Sequence, residues 1–264
     1  MKPLKFYCID SHNHVHPRPD GKFDQAQADM LLKAADKLGI DKLCVSVPLT
    51  DPCPTPEEVR AANDVVLAAM AYSNRFYGFA FINPGFAKEA IAEIDRCIVA
   101  GGMKGLKMYH QYFICDPIQR TVMERAAELG IPVLMHAGKV CDRETIADQP
   151  RLSAAEHFQR ALEMFPDTML IQGHIGGGGD WEWNLRVLEE IKSPNYYIDL
   201  SGSVIDRHIA RRTVEAIGID HVLFATDESF EEGVGKVLDG EFSDGELEKI
   251  FHRNLETIFE RRTC

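Results

Sequence analysis

The sequence has no excess of positive charge: 29 Lys and Arg stand against 41 Asp and Glu, giving a formal net charge of −12 and an isoelectric point near 5.3. That balance argues against a nucleic-acid backbone or an anionic membrane as the main partner, because both are held by basic patches. A small anionic substrate gripped by a local Arg or Lys stays compatible with it. No window approaches the roughly 20 apolar residues of a membrane helix. Met1-Lys2-Pro3-Leu4-Lys5 runs straight into a strand-like segment, without the apolar stretch of a secretion signal. A soluble, cytoplasmic protein is therefore expected. The seven cysteines are odd in number, scattered and free of any CxxC pair, so neither a disulfide framework nor a zinc knuckle is indicated. Cys53, Cys115 and Cys141 fall in expected loops, where reduced, packed thiols are the simpler reading. The glycine run Gly176 to Gly179 lacks a following GK[ST] and a strand-linked GxGxxG, so it reads as a βα loop rather than a phosphate cradle. No linker, low-complexity tract or close repeat divides the chain.

What is present is an alternation of short β-type runs and amphipathic helical patterns. With 45 % apolar residues the 264-residue chain can bury a large core. Helical spacing covers Asp24 to Leu38, Pro56 to Tyr72, the stretch through Ile91, Ile94 and Ile98, and Asp116 to Gly130. It recurs around Ala155, Phe158 and Leu162, then over Trp181 to Ile191, Asp206 to Ile217 and Gly245 to Arg261. After the opening run Phe6 to Ile9, strands are expected at Lys42 to Val47, Phe76 to Ile82, Met103 to Tyr109 and Pro132 to His136. Thr168 to His174, Asn195 to Ser201 and His221 to Asp227 complete the set. Eight strand and helix units in one uninterrupted chain predict a single-domain (β/α)8 TIM barrel over residues 1–264. An open doubly wound sheet is the main rival, but eight consecutive units leave it no obvious edge.

Barrel enzymes place their chemistry at the C-terminal ends of the strands. His12 and His14 follow the first β-type run. In extended backbone alternate side chains point the same way, so the two imidazoles can converge on one ion. By itself this stretch reads equally as a metal site, a histidine-rich solvated loop or the remnant of an affinity tag. Strand five runs into His136, strand six into His174 and strand eight into Asp227. A lone strand-end histidine is more often structural than a ligand, but agreement between four separate strands is hard to explain that way. In strand four, Leu106 and Met108 should face the helices, which turns Gly105, Lys107 and Tyr109 toward the barrel axis. A buried lysine is costly unless paired, so Lys107 is expected to pair with Asp10 or Asp199 or to contact substrate.

These features resemble the amidohydrolase superfamily, in particular its mostly mononuclear amidohydrolase-related branch, which includes aminocarboxymuconate semialdehyde decarboxylase and related hydrolases. The resemblance spans His12-x-His14, Gly105-Leu106-Lys107, His136, Gly173-His174, Ala225-Thr226-Asp227 and Asn254 ahead of the last helix. It implies one divalent ion, Zn²⁺ first with Mn²⁺, Co²⁺ or Fe²⁺ as alternatives, held by His12, His14, His136 and Asp227. His174 would be a general acid/base, and Asp227 would also orient or deprotonate the activated water. Some superfamily members carboxylate a strand-four lysine to bridge two ions; ion pairing or substrate contact ranks above that for Lys107. Lys107, Tyr109 and Arg143 are the candidate substrate contacts. His16 and His110 read as solvated loop residues, and Trp181 and Trp183 as packing at a helix start.

The leading expectation is a metal-dependent hydrolase of a small carbonyl-containing metabolite, a lactone, amide or ester. The alternative is a non-oxidative decarboxylase on the same site, and a catalytically silent metal- or ligand-binding barrel ranks below both. The expected partner is a small-molecule substrate, with homo-oligomerisation left open.

Overall fold

The computed structural model describes residues 4–175 and 179–262. The glycine run singled out above therefore lies largely outside the described residues. The strands are β1 (Ile9–His14), β2 (Lys42–Ser46), β3 (Phe76–Phe81), β4 (Gly105–Met108), β5 (Val133–Met135), β6 (Leu170–Gln172), β7 (Tyr196–Asp199) and β8 (Val222–Leu223). They form one parallel sheet in sequential order from β1 to β8. The ring closes where Ser11 N donates to Phe224 O at 2.9 Å and Asp227 N donates to His12 O at 2.8 Å. The fold is a (β/α)8 TIM barrel, as the alternation of elements predicts.

Around it run α1 (Gln25–Leu38), α2 (Pro56–Tyr72), α3 (Ala87–Ile94), α4 (Arg120–Leu129), α5 (Arg143–Asp148) and α6 (Ala155–Met164). They are followed by α7 (Trp181–Leu188), α8 (Ile209–Ile217), α9 (Phe230–Asp239), α10 (Asp244–Glu248) and α11 (Asn254–Glu260). Local chemistry sets their ends. Thr55 and Glu58 form a reciprocal capping box ahead of α2, and Gly39 and Gly130 close α1 and α4 in left-handed conformation. The core has two parts. One lies between strands and helices and includes Val66, Ile98, Leu106, Phe158 and Ile198. The other fills the lower barrel with Ile9, Phe79, Leu134, Ile171, Tyr197 and Leu223, stoppered by Leu255 and Ile258 of α11. A packed lower barrel leaves the opposite, C-terminal end as the place for chemistry.

Several boundaries depart from the sequence pattern. Strand β1 extends through His14 with a register shift between Asp10 and Asn13, so both histidines belong to the strand rather than to a loop after it. Strand β6 stops at Gln172, just ahead of His174, whose left-handed backbone (φ 66°) no strand can continue, and β8 stops at Leu223, short of Asp227, which is also left-handed (φ 49°). The expected terminal helix is interrupted by a π-helical turn at Lys249–Arg253, and a similar turn at Asp95–Ala100 prolongs α3. Helices α5 and α9 were not expected. The Phe230, Val234, Val237 spacing of α9 is helical, but Gly233 and Gly235 lie within it.

Candidate metal centre and proton-transfer site

At the C-terminal mouth, β1 presents His12 and His14, both buried, with ring centroids 5.2 Å apart. Each imidazole is oriented from behind. His12 Nδ1 lies 2.8 Å from Asp199 Oδ2, and His14 Nδ1 lies 3.1 Å from Ser46 Oγ and 3.3 Å from Ser46 O. Acceptors at those positions place the proton on Nδ1 and leave the Nε2 lone pairs facing inward. His14 Nε2 is 2.9 Å and His12 Nε2 3.4 Å from Asp227 Oδ1, and ligand atoms of the three residues all fall within 4.8 Å of one another.

Two imidazole lone pairs and a carboxylate facing each other have no proton of their own to share, which is the donor set of a cation site. In this structure the nearest cation is Lys107, whose Nζ lies 2.5 Å from His12 Nε2. A second grouping, His12, His174 and Asp199, is equally compact. There, however, Asp199 already accepts from His12 Nδ1, the His174 and Ser201 backbone N–H groups and Ser201 Oγ. The residues therefore fit a divalent ion at the His12, His14 and Asp227 grouping.

His136 is brought to the same mouth but to a different neighbour. Its Nδ1 is 2.9 Å from His174 Nε2, its Nε2 is 3.1 Å from the Gln149 side-chain amide, and its ring stacks on Tyr109 with centroids 4.0 Å apart. His174 Nδ1 lies 2.9 Å from Ser201 Oγ, whose own proton goes to Asp199 Oδ1 at 2.6 Å. The hydroxyl can then only accept from the imidazole, so His174 carries its proton on Nδ1, and its Nε2, beside the cleft, accepts from His136 Nδ1–H. The cleft, about 210 Å³, is lined by His136, His174, Gly202, Ser203, Asp227 and Ser229.

The left-handed backbone at His174 and Asp227 is uncommon outside glycine, though His and Asp tolerate it better than most, and it is held by bonds from other strands: His174 N to Asp199 Oδ1, and Asp227 N to His12 O. Gly173 is required just before, because a Cβ there would come within 2.9 Å of Met135 O and 3.3 Å of the His12 ring.

Burial dominates the electrostatics. It pushes His14 and His174 down to about 4, in both cases against the pull of Asp227, and it drives His136 well below the ordinary histidine value, helped by His174 and Lys107. Burial alone would raise Asp227, but His12, His14 and His174 together hold its carboxyl well below the usual range. Asp199 is lowered in the same way by His12, His174 and Ser201. Asp10, sealed between Asn13 and Thr226, is raised by burial to about 6.

These shifts set a pH dependence for the metal-free protein. In the unfolded chain His14 and His174 protonate near 6.5, whereas the fold keeps them neutral down to about 4, so their stabilising contribution is present above 6.5 and lost as pH falls toward 4. Asp199 and Asp227, both depressed, add further loss in more acidic solution. Asp10 acts oppositely, its contribution being complete below the ordinary carboxylate range and lost as pH rises through about 6. With three histidines against one aspartate, the thermal midpoint of chelator-treated protein should fall steadily between about pH 6.5 and pH 4. A midpoint that is flat or rises over that interval would contradict the neutral-histidine description.

Other expected residues fall as follows. Lys107 is fully buried and points inward as its strand position predicts, and burial lowers it to about 8 against the pull of Asp227 and Asp199. Its expected direct pairing with Asp10 or Asp199 is replaced by the bond to His12, because Asp10 is bound by Asn13 and Thr226, and Asp199 by His12 and Ser201. Tyr109 is half-buried at the mouth, raised to about 12 by burial. Arg143 is exposed at the start of α5. His16 is half-exposed and paired with Glu228 at 2.9 Å. His110 is buried edge-on against Tyr109 rather than solvated. Trp181 packs and donates to Asp206, whereas Trp183 lies under the Lys139 ammonium. Asn254 ties α11 to β8 through the Ile219 and Val222 carbonyls. Sequence reasoning assigned no site role to Ser46, Gln149, Ser201 or, beyond a partner for Lys107, to Asp199. Asp199 was readable as an inward strand-end acid; the others carry no local signal.

Taken together, a parallel barrel with histidines and an aspartate converging at the C-terminal ends of its strands defines a barrel enzyme of the metal-dependent class. Residues 9–261 match the amidohydrolase family model, and the chain belongs to that family, in the amidohydrolase-related branch of its superfamily. It is a metal-dependent enzyme of that superfamily. Similar solved structures include a 2,6-dihydroxybenzoate decarboxylase from Rhizobium, 19 % identical with a TM-score of 0.75, covering 98 % of this chain and 99 % of that one. Another is a dihydroxybenzoic acid decarboxylase from Polaromonas sp. JS666 with bound manganese and 2-nitroresorcinol, 18 % identical, TM-score 0.73, covering 96 % and 97 %. A third is a 4-oxalomesaconate hydratase from Rhodopseudomonas palustris, 17 % identical, TM-score 0.74, covering 96 % of each chain. No curated protein matches the chain significantly by sequence. Among the described residues, no helix is long and apolar enough to cross a membrane.

Proposed function

We propose that the protein hydrolyses a small carbonyl-containing metabolite, a lactone, amide or ester, with His174 as general base. The observation that carries this reading is the ordered proton on His174: Nδ1–H is committed to Ser201, which leaves Nε2, 2.9 Å from His136 Nδ1 and 3.7 Å from Asp227 Oδ2, as the basic nitrogen at the cleft. His12, His14 and Asp227 would hold one divalent ion, with His136, whose ring nitrogens here meet His174 and Gln149, turning to become the fourth donor. Such an ion lowers the pKa of water toward neutrality and polarises a carbonyl. His174 Nε2 takes a proton from the attacking water and returns it to the leaving group. Asp227, ionised across the working pH range, orients that water. Tyr109 contributes an apolar face and a hydroxyl at the mouth, and Lys107 and Arg143 are the cations available to an anionic substrate. The soluble setting and the identity of the ion belong to the same proposal. Zn²⁺ suits the nitrogen-rich donor set, and the manganese in the Polaromonas protein makes Mn²⁺ the first alternative.

A second reading, non-oxidative decarboxylation, draws support from the names of the structurally similar enzymes. There His174 would deliver a proton to the carbon that loses CO₂. The test is to incubate zinc- and manganese-loaded protein with lactones, amides, esters and small hydroxylated carboxylic acids, following hydrolytic products and CO₂ in parallel. Ring opening or acyl cleavage supports hydrolysis. CO₂ release without a hydrolytic product overturns it in favour of the second reading.

A further inference from the structure

One buried cation takes no part in the site described so far. Lys236, on α9, is only 4 % exposed, and its ammonium donates to Leu200 O at 3.1 Å and to Gly202 O. Burying an ammonium is costly unless its protons are taken up by good acceptors. These acceptors are the two carbonyls that flank Ser201, the residue whose hydroxyl accepts from His174. On the other side the same turn is held by Asp199, which receives both the backbone N–H and the hydroxyl of Ser201. The turn is therefore clamped between a carboxylate beneath it and an ammonium above it.

We propose that Lys236 is a positioning residue that sets the His174 imidazole by pinning the Leu200–Gly202 turn. Three observations support it. The turn touches His174 directly: a Cβ at Gly202 (φ +96°) would lie 3.0 Å from the His174 Cβ, so any shift of this backbone moves against that side chain. Leu200 N is still in the barrel ladder, bonded to Leu223 O at 3.0 Å, whereas Gly202 and Ser203 line the open cleft and gain no ladder support. Lys236 is the side chain that bridges that change from supported to unsupported backbone. Finally, α9 begins at Phe230, just after Asp227, so the ammonium ties the β8 side of the mouth, which carries Asp227, to the β7 side, which carries Ser201. The distance between acid and base at the mouth is thereby set by a side chain that touches neither.

The proposal rests on His174 being the proton-transfer group, and its test is chosen to read the imidazole without a substrate. Zinc-loaded protein labelled with ¹⁵N-histidine is compared with Lys236→Met, which keeps length and removes the donors. The His174 signal is assigned from a His174→Gln spectrum. The expected result is retained secondary structure and zinc binding, with solvent exchange of the His174 Nδ1 proton accelerated about tenfold or more, the equivalent of one lost hydrogen bond. The His14 Nδ1 proton, anchored on Ser46, should be unaffected. Should Lys236→Met not fold, Lys236→Gln, which restores one donor, is read in the same way. Unchanged exchange at His174, equal acceleration at His14 and His174, or loss of fold in both variants would each overturn the assignment. A wild-type protein with no hydrolytic turnover would sink the proposed reaction but not this result.

Discussion

His174→Ala is expected to retain one divalent ion per chain and to lose turnover by about 10²–10⁴-fold, the range over which a positioned proton-transfer group acts. The two halves of that expectation have separate structural sources. The ion is assigned to His12, His14 and Asp227, whose ligand atoms converge without help from His174, so the donor set survives the substitution. The loss of rate follows from Nε2, the basic nitrogen at the cleft, and from the chain behind it. Ser201 accepts from His174 Nδ1 and donates to Asp199, which fixes both the tautomer and the ring plane. A truncated side chain at residue 174 leaves the Ser201 hydroxyl without its imidazole and the attacking water without a base. Metal content by elemental analysis and single-turnover kinetics read the two halves independently. A His174→Ala enzyme with wild-type kcat would remove the residue from the mechanism.

The second large effect is on metal itself. His12→Ala should lose the ion altogether in dialysed protein, an affinity drop beyond the roughly 10–100-fold that follows when only an orienting partner is removed. His12 supplies the nitrogen shared by the whole cluster, with Asp199 behind it and Lys107 and Asp227 in front. As the proposed fourth donor His136 should be needed too, so His136→Ala is expected to lose the ion, and this substitution tests a ligand that stands outside the three converging donors. In the structure His136 meets His174, Gln149 and Tyr109 rather than the three converging donors. Full metal content in His136→Ala would confine the site to three protein ligands and leave His136 as a partner of the base. Titration of apo-protein with zinc, monitored by a competing chelator, distinguishes these cases.

Much of this geometry was legible in the chain. Alternation along β4 correctly turned Lys107 inward, because a strand between a packed barrel and a layer of helices has only two faces. The strand-end placement of His136, His174 and Asp227 followed from the same periodicity. What periodicity does not encode is where a strand stops. His174 and Asp227 lie in left-handed backbone, stabilised by bonds from Asp199 and His12 that span 25 and 215 residues of sequence, and no local pattern announces them. Long-range competition also explains Lys107. Its expected carboxylate partners were in place, but each was already saturated by nearer donors. Helix α9 escaped because two glycines dilute its spacing, and with it went Lys236. His110 was misread because a polar residue beyond a strand looks solvated until the loop above it is known.

The most direct test of the central claim is anomalous diffraction from a crystal of the manganese-loaded protein. A single peak is expected among His12 Nε2, His14 Nε2 and Asp227, with His136 turned toward it as the fourth donor, His174 Nδ1 still on Ser201 and Lys107 displaced from His12. A single peak between His12 Nδ1, His174 and Asp199, or two peaks bridged by a carboxylated Lys107, would contradict it.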